Sequence, residues 1–137
     1  MIVGDADLNP ITIVVTAGQH HDCPHLIPTM SQVAIKTASG QTQRRPKKVA
    51  ADKGFSSKEN RRELRKRGIT PVIAYKSNER GASRPFDRET YKKRNTIERL
   101  IGHLKECRRV ATRYEKLAVR YHAFLKIACI RYLLHKS

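Results

Sequence analysis

Tyr91-Lys-Lys-Arg-Asn-Thr-Ile-Glu-Arg-Leu-Ile-Gly-His-Leu-Lys105 is the stretch on which the reading of this chain turns. Within it Tyr91, Arg94, Glu98 and Lys105 stand at offsets of 0, 3, 7 and 14 residues. At ~100° per residue, the four side chains fall in a sector of roughly 60° on one face of a helix expected over residues 88–107. Three of the four are charged, so this face is not core. Glu98 lies mid-stripe between two cations, which could orient its carboxylate or contact phosphate. On spacing alone the face also fits an exposed helix laced with i, i+4 ion pairs, of which Arg94 and Glu98 would be one.

Working outward, residues 108–113 break the helical pattern. A last helix is expected over about 115–135. Its apolar positions Leu117, Tyr121, Phe124 and Ala128 recur at helical spacing, with Ala118, Leu125 and Cys129 beside them. Upstream, residues 76–86 read as a polar loop with Gly81 and Pro85. Thr70-Pro-Val-Ile-Ala-Tyr75 reads as a strand. Ser56-Ser-Lys-Glu59 reads as a capping box opening a helix that Gly68 ends. Lys48-Val-Ala-Ala-Asp52 reads as a strand presenting Asp52 at its end. Residues 36–47 read as a basic loop, and 22–35 as an ambiguous segment interrupted by Pro24 and Pro28. Ile11-Thr-Ile-Val-Val-Thr-Ala17 reads as a strand antiparallel to residues 1–5 across the Asn9-Pro10 turn. Strands alternating with helices predict an α/β domain, a mixed sheet flanked by helices.

The 137 residues fit one domain, and 39% hydrophobic content suffices for a core. No run of ~18 apolar residues predicts a membrane span, and no signal peptide is visible at the start. Cys23, Cys107 and Cys129 are few, odd in number and widely spaced, so neither a disulfide framework nor a cysteine-rich zinc site is expected. Reduced thiols suit the cytoplasm. Lys and Arg number 29 against 12 acids, a net charge of +17. Residues 1–42 hold Asp5, Asp7 and Asp22 against Lys36, so the remaining 95 residues carry +19. Such a field attracts a polyanion, and nucleic acid is the usual one. The basic helix with Lys58, Arg61, Arg62, Arg65 and Lys66 fits a solvated face as well as a DNA contact. His20, His21, Asp22, Cys23 and His25 are crowded enough to suggest zinc, but have no second ligand cluster.

The Tyr91-x2-Arg94-x3-Glu98-x6-Lys105 spacing resembles the signature of DDE transposases of the bacterial insertion-sequence four and five families, with no departure. Arg94-Asn-Thr-Ile-Glu-Arg99 resembles their R-N-x-I-E-R block, and Ala51-Asp-Lys-Gly-Phe55 the A-D-K-G-[YF] block that carries a catalytic aspartate. Gly4-Asp-Ala-Asp-Leu-Asn-Pro10, Thr16-Ala-Gly-Gln-His-His-Asp22 and residues 108–116 resemble further blocks in the same order. Similarity covers nearly the whole chain.

That resemblance implies a ribonuclease-H-like fold, a five-stranded mixed sheet with flanking helices, as one catalytic domain over residues 1–137. Its first strand would be truncated and its N-terminal DNA-binding region absent, since only four residues precede Asp5. By position the catalytic and metal-binding triad would be Asp5, Asp52 and Glu98. Asp7 rivals Asp5, because residues i and i+2 of a strand face the same way. The implied cofactor is Mg²⁺, with Mn²⁺ as a substitute, because paired ions about 3.5–4 Å apart stabilise charge on attacking and leaving oxygens. Tyr91, Arg94, Lys105, Lys53 and Arg99 would contact DNA. The implied reaction is hydrolysis at the element's end, then attack of the freed 3′-hydroxyl on target DNA. Implied partners are transposon-end and target DNA, a second copy during reaction, and a separately encoded N-terminal part. The implied place is the bacterial cytoplasm, at the nucleoid. Two other functions compete: a catalytically inactive DNA-binding fragment that regulates transposition, and an unrelated basic RNA-binding protein.

Overall fold

The structure, a computed structural model, describes residues 1–16, 21–79 and 85–136. In chain order its elements are strands β1 (Ile2–Gly4) and β2 (Pro10–Ile13), helix α1 (Leu26–Ser31), strands β3 (Ile35–Lys36), β4 (Thr42–Gln43) and β5 (Lys48–Ala51), helix α2 (Lys58–Lys66), strand β6 (Thr70–Ile73), and helices α3 (Arg88–Lys92), α4 (Asn95–Lys105), α5 (Arg108–Ala111) and α6 (Ala118–Lys136). The chain divides into two compact units, Met1–His20 with Asn95–Ser137, and His21–Arg94. No described helix is long and apolar enough to cross a membrane.

In the first unit, β1 and β2 form the expected antiparallel pair, Ile2 opposite Ile13 and Val3 opposite Thr12, with a bulge before Gly4. The second strand is shorter than its β-branched run, and Ala17 lies outside the described residues. Leu100, Leu104, Val110, Leu125, Ala128 and Cys129 form the core, with Ile2, Ile13 and Tyr121 against it. The buried stripe of α6 is therefore centred on Leu125 and Cys129. Leu117 precedes the helix and is exposed, and Phe124 is only half-buried. The opposite side of α6 exposes Val119, Ile127, Ile130 and Leu134.

In the second unit, β5 and β6 run parallel, Lys48 opposite Thr70 through Ala51 opposite Ile73, and α2 makes the crossover that parallel pairing requires. Leu26, Met30 and Val33 from the α1 region, Leu64 of α2, and Ile69, Val72 and Ile73 are buried. The cap of α2 lies one residue later than the capping-box reading. Ser57 accepts the Asn60 N–H at 3.0 Å, and Ser56 is buried instead. Gly68 (φ +69°) ends the helix as expected. Its N–H bonds Arg65 O, and the Ile69 N–H bonds Leu64 O, both at 2.9 Å, a Schellman closure. Residues 35–43, read as the end of the ambiguous segment and the start of the basic loop, pair as a two-residue ladder around a turn. Asp87 caps α3, and Lys48 holds its carboxyl well below the usual carboxylate range, with Thr90 assisting.

Among the described residues the strands, each two to four residues long, pair as three two-stranded sheets, fewer pairings than the five-stranded sheet that the resemblance implies. One expectation changes. The long helix over 88–107 is two helices. Lys92, Lys93 and Arg94 are successive like charges, and Asn95 competes with helical bonding through its side chain. Tyr91 therefore belongs to α3, and Glu98 and Lys105 to α4.

Candidate active site

Asp5 directly follows β1, and the residue before it is glycine for a packing reason. A Cβ on Gly4 would lie 3.1 Å from Leu100 Cδ2 and 3.2 Å from both Ile97 Cδ1 and Asn9 O. That approach seats the end of β1 on the first turns of α4. Asp5 is one residue beyond Gly4, and Glu98 is one residue beyond Ile97, so the two acids stem from backbone segments packed together.

The Asp5 carboxylate is fixed by its own turn. Oδ1 accepts the N–H groups of Asp7 and Asn9 at 2.9 Å each, and Oδ2 accepts Asn9 Nδ2 at 2.8 Å. Partial burial pushes its pKa up. The Asn9 side chain, the two backbone donors and the nearby Lys136 charge outweigh that and hold it below the ordinary value. Asp5 is therefore ionised at neutral pH. A carboxylate offers about four acceptor positions, so one stays open for a ligand. Residues 5–9 are turn, not strand, so the alternation argument for Asp7 lapses. Asp7 is exposed, and its carbonyl accepts Lys136 Nζ. Glu98 is exposed in the first turn of α4, where the helix dipole favours an anion. Arg99 and Lys105 are exposed on the same helix.

Asp52 belongs to the other unit, at the end of β5. Its Oδ1 accepts the Lys53 N–H at 2.8 Å, capping the 3-10 turn Lys53–Phe55. Asp52 and Lys53 are exposed. Helix α2 clamps this turn from behind. Asn60 Nδ2 donates to Phe55 O at 3.0 Å and Cys23 O at 2.9 Å. Arg61, only 5% exposed, donates to Ile73 O at 3.0 Å and Ser56 Oγ at 2.7 Å, and lies 3.7 Å over the Tyr75 ring. The basic-helix reading thus fails at Arg61, which is a structural cation. Its place three residues before Leu64, on the buried side of α2, was the available signal. In the same unit Tyr91 meets Phe86 edge-on at 5.0 Å, and the Arg94 guanidinium lies 5.4 Å over the Tyr91 ring.

Among the described residues, no three His, Cys, Asp or Glu side chains gather so as to hold a metal ion. The zinc candidates His21, Asp22, Cys23 and His25 therefore do not form a site; His20 lies outside the described residues. Burial pushes the Cys129 thiol up, away from nucleophilic use. The donor chemistry of the expected triad does fit Mg²⁺: three carboxylates, hard oxygen ligands, one of them held ionised by its turn.

A family model described as Transposase DDE domain matches residues 1–133. The chain belongs to this family. A Burkholderia cepacia protein assigned as the transposase of insertion sequence element IS402 is 36% identical over 129 residues, covering 93% of this chain and 58% of the relative. The chain thus spans somewhat over half the length of that relative. No solved structure matches. In this DDE domain Asn9, Asn60, Arg61 and Lys136 support the acids, and the sequence reading singled out none of them in that role. Asn9 was visible only as a turn former, although short amides in turns routinely bond nearby backbone.

Proposed function

We propose that this DDE domain performs Mg²⁺-dependent DNA strand cleavage and strand transfer, with Asp5, Asp52 and Glu98 as metal-binding catalytic acids. The reading rests on one geometric observation within the family frame, the glycine-dependent contact of β1 with α4 that carries Asp5 and Glu98 on adjoining backbone. Bound by the three carboxylates, Mg²⁺, or Mn²⁺ in its place, would offset charge on the attacking and leaving oxygens of a phosphodiester. Asn9 and Lys136 hold Asp5 charged and in one rotamer. Asn60 and Arg61 fix the backbone that presents Asp52. Tyr91, Arg94, Lys53, Arg99 and Lys105 bind the DNA backbone flanking the cleaved phosphate, and the net charge of +17 draws the duplex in. Hydrolysis frees a 3′-hydroxyl at the element's end, which then displaces a 3′-oxygen in target DNA.

The ribonuclease-H-like sheet belongs to the same proposal, with the β5–α2–β6 crossover as its parallel half. So do residues 1–137 as one catalytic domain, a pair of subunits joining two element ends, a separately encoded N-terminal part, and action at the bacterial nucleoid. The test uses the chain with its DNA. Asp52→Asn and Glu98→Gln each abolish Mg²⁺-dependent cleavage of an element-end duplex while binding persists. Normal cleavage by either variant would falsify the assignment. A chain that binds the duplex yet never cleaves it, alone or with the remaining transposase polypeptide, is instead a regulatory DNA-binding fragment.

A further inference from the structure

The first unit holds a cavity of about 340 Å³ between α4 and the C-terminal half of α6. Arg131, His135, Lys136 and His103 line it, with Glu106 as the one acid in the lining. The His103 and Tyr132 rings stack at 5.4 Å, and His103 Nδ1 lies 3.1 Å from Glu106 Oε1. Arg131 is steadied by Cys107 Sγ at 3.3 Å. Lys136 reaches out of this lining to Asn9 Oδ1 at 2.8 Å and to Asp7 O, so the pocket shares a wall with the turn that holds Asp5. Last-turn cations such as His135 and Lys136 also offset the carbonyl end of α6. That effect accounts for their charge, but not for their convergence with Arg131 and His103 on one concavity.

We propose that this pocket binds a backbone phosphate of the DNA substrate, next to the phosphate attacked at Asp5. The inference rests on the DNA-cleaving reading and deepens it. Arg131 and Lys136 are two permanent cations against one carboxylate, the guanidinium fork suits phosphate oxygens, and Lys136 fixes the bound strand relative to Asp5.

The test measures duplex affinity across salt concentration in the Asp52→Asn background, where no strand is cut. Each neutralised phosphate contributes about 0.9 to the slope of log affinity against log salt. Arg131→Gln lowers that slope by about 0.9, and Arg131→Lys restores it. Arg62→Gln, an exposed arginine on α2, leaves the slope unchanged. An unchanged slope in Arg131→Gln, in protein shown by circular dichroism to be folded, overturns the pocket alone. A parent chain that binds no duplex overturns the DNA reading and the pocket with it.

Discussion

At the scale of single residues, the pattern is that charged groups are held by short polar neighbours. Asp5 is the clearest instance. Its folded pKa is depressed, so the ionised form contributes stability above the unfolded value near 3.9. That contribution is lost as pH falls through the lower folded value. Asn9→Ala removes the strongest of the lowering contacts. The Asp5 carboxyl should then titrate higher in an NMR pH series, and the domain should lose about 1 kcal/mol at pH 7, a loss that shrinks as acid protonates Asp5 in both proteins. A loss that does not change with pH would show that Asn9 acts on the turn backbone and not on the charge. Arg61 is the reverse case, a buried cation held by two neutral acceptors, with the Glu79 carboxylate 4.0 Å away. Arg61→Met leaves Ile73 O and Ser56 Oγ without their donor and should cost about 2–4 kcal/mol in denaturant unfolding. A loss under 1 kcal/mol would place the guanidinium outside the framework that presents Asp52.

At the scale of elements, the close seat of β1 on α4 makes the sharpest demand. Gly4→Ala puts a methyl group 3.1–3.2 Å from Leu100, Ile97 and Asn9. Overpacking of this kind costs about 1–3 kcal/mol. Because the displaced residue is next to Asp5, cleavage should fall more than stability alone explains; a variant that is destabilised yet cleaves at the parent rate when folded would separate the seat from the site. Ser57→Ala should cost about 1 kcal/mol through lost capping, and Ser56→Ala should act through Arg61 instead. These elements also show how far the sequence could be read. Whereas the choice of acids came from the family resemblance, the β1–β2 pair, the strand before Asp52 and the glycine stop of α2 follow from local signals such as β-branched runs, Asn-Pro and Gly. The break at 93–95 does not, because the Tyr91–Lys105 spacing reads as one helix face straight through it while like charges and Asn95 work against the helix. The buried face of α6 was misplaced by one stripe because apolar residues occur all round that helix. Arg61 was legible only through its place three residues before Leu64: the carbonyls that receive its guanidinium come from a distant strand end, and composition carries no trace of them.

At the scale of the whole molecule, charge dominates. A net +17 on 137 residues repels itself when the chain is folded, and both salt and a polyanion relieve that repulsion by different routes. Salt alone screens it, with a Debye length of about 10 Å at 0.1 M. Duplex DNA binds the folded state and adds about 2.7 kcal/mol at a hundredfold excess over its dissociation constant. The two effects therefore oppose each other when combined. Without DNA, the melting temperature should climb as salt rises from about 0.02 to 0.3 M. With DNA present it should start high at low salt and fall over the same range, as counterion competition removes the complex. The two curves should converge near the upper limit. Parallel curves would mean that binding is not made by the cations this chain carries in such excess, and that its basic surface serves some purpose other than holding a phosphate backbone.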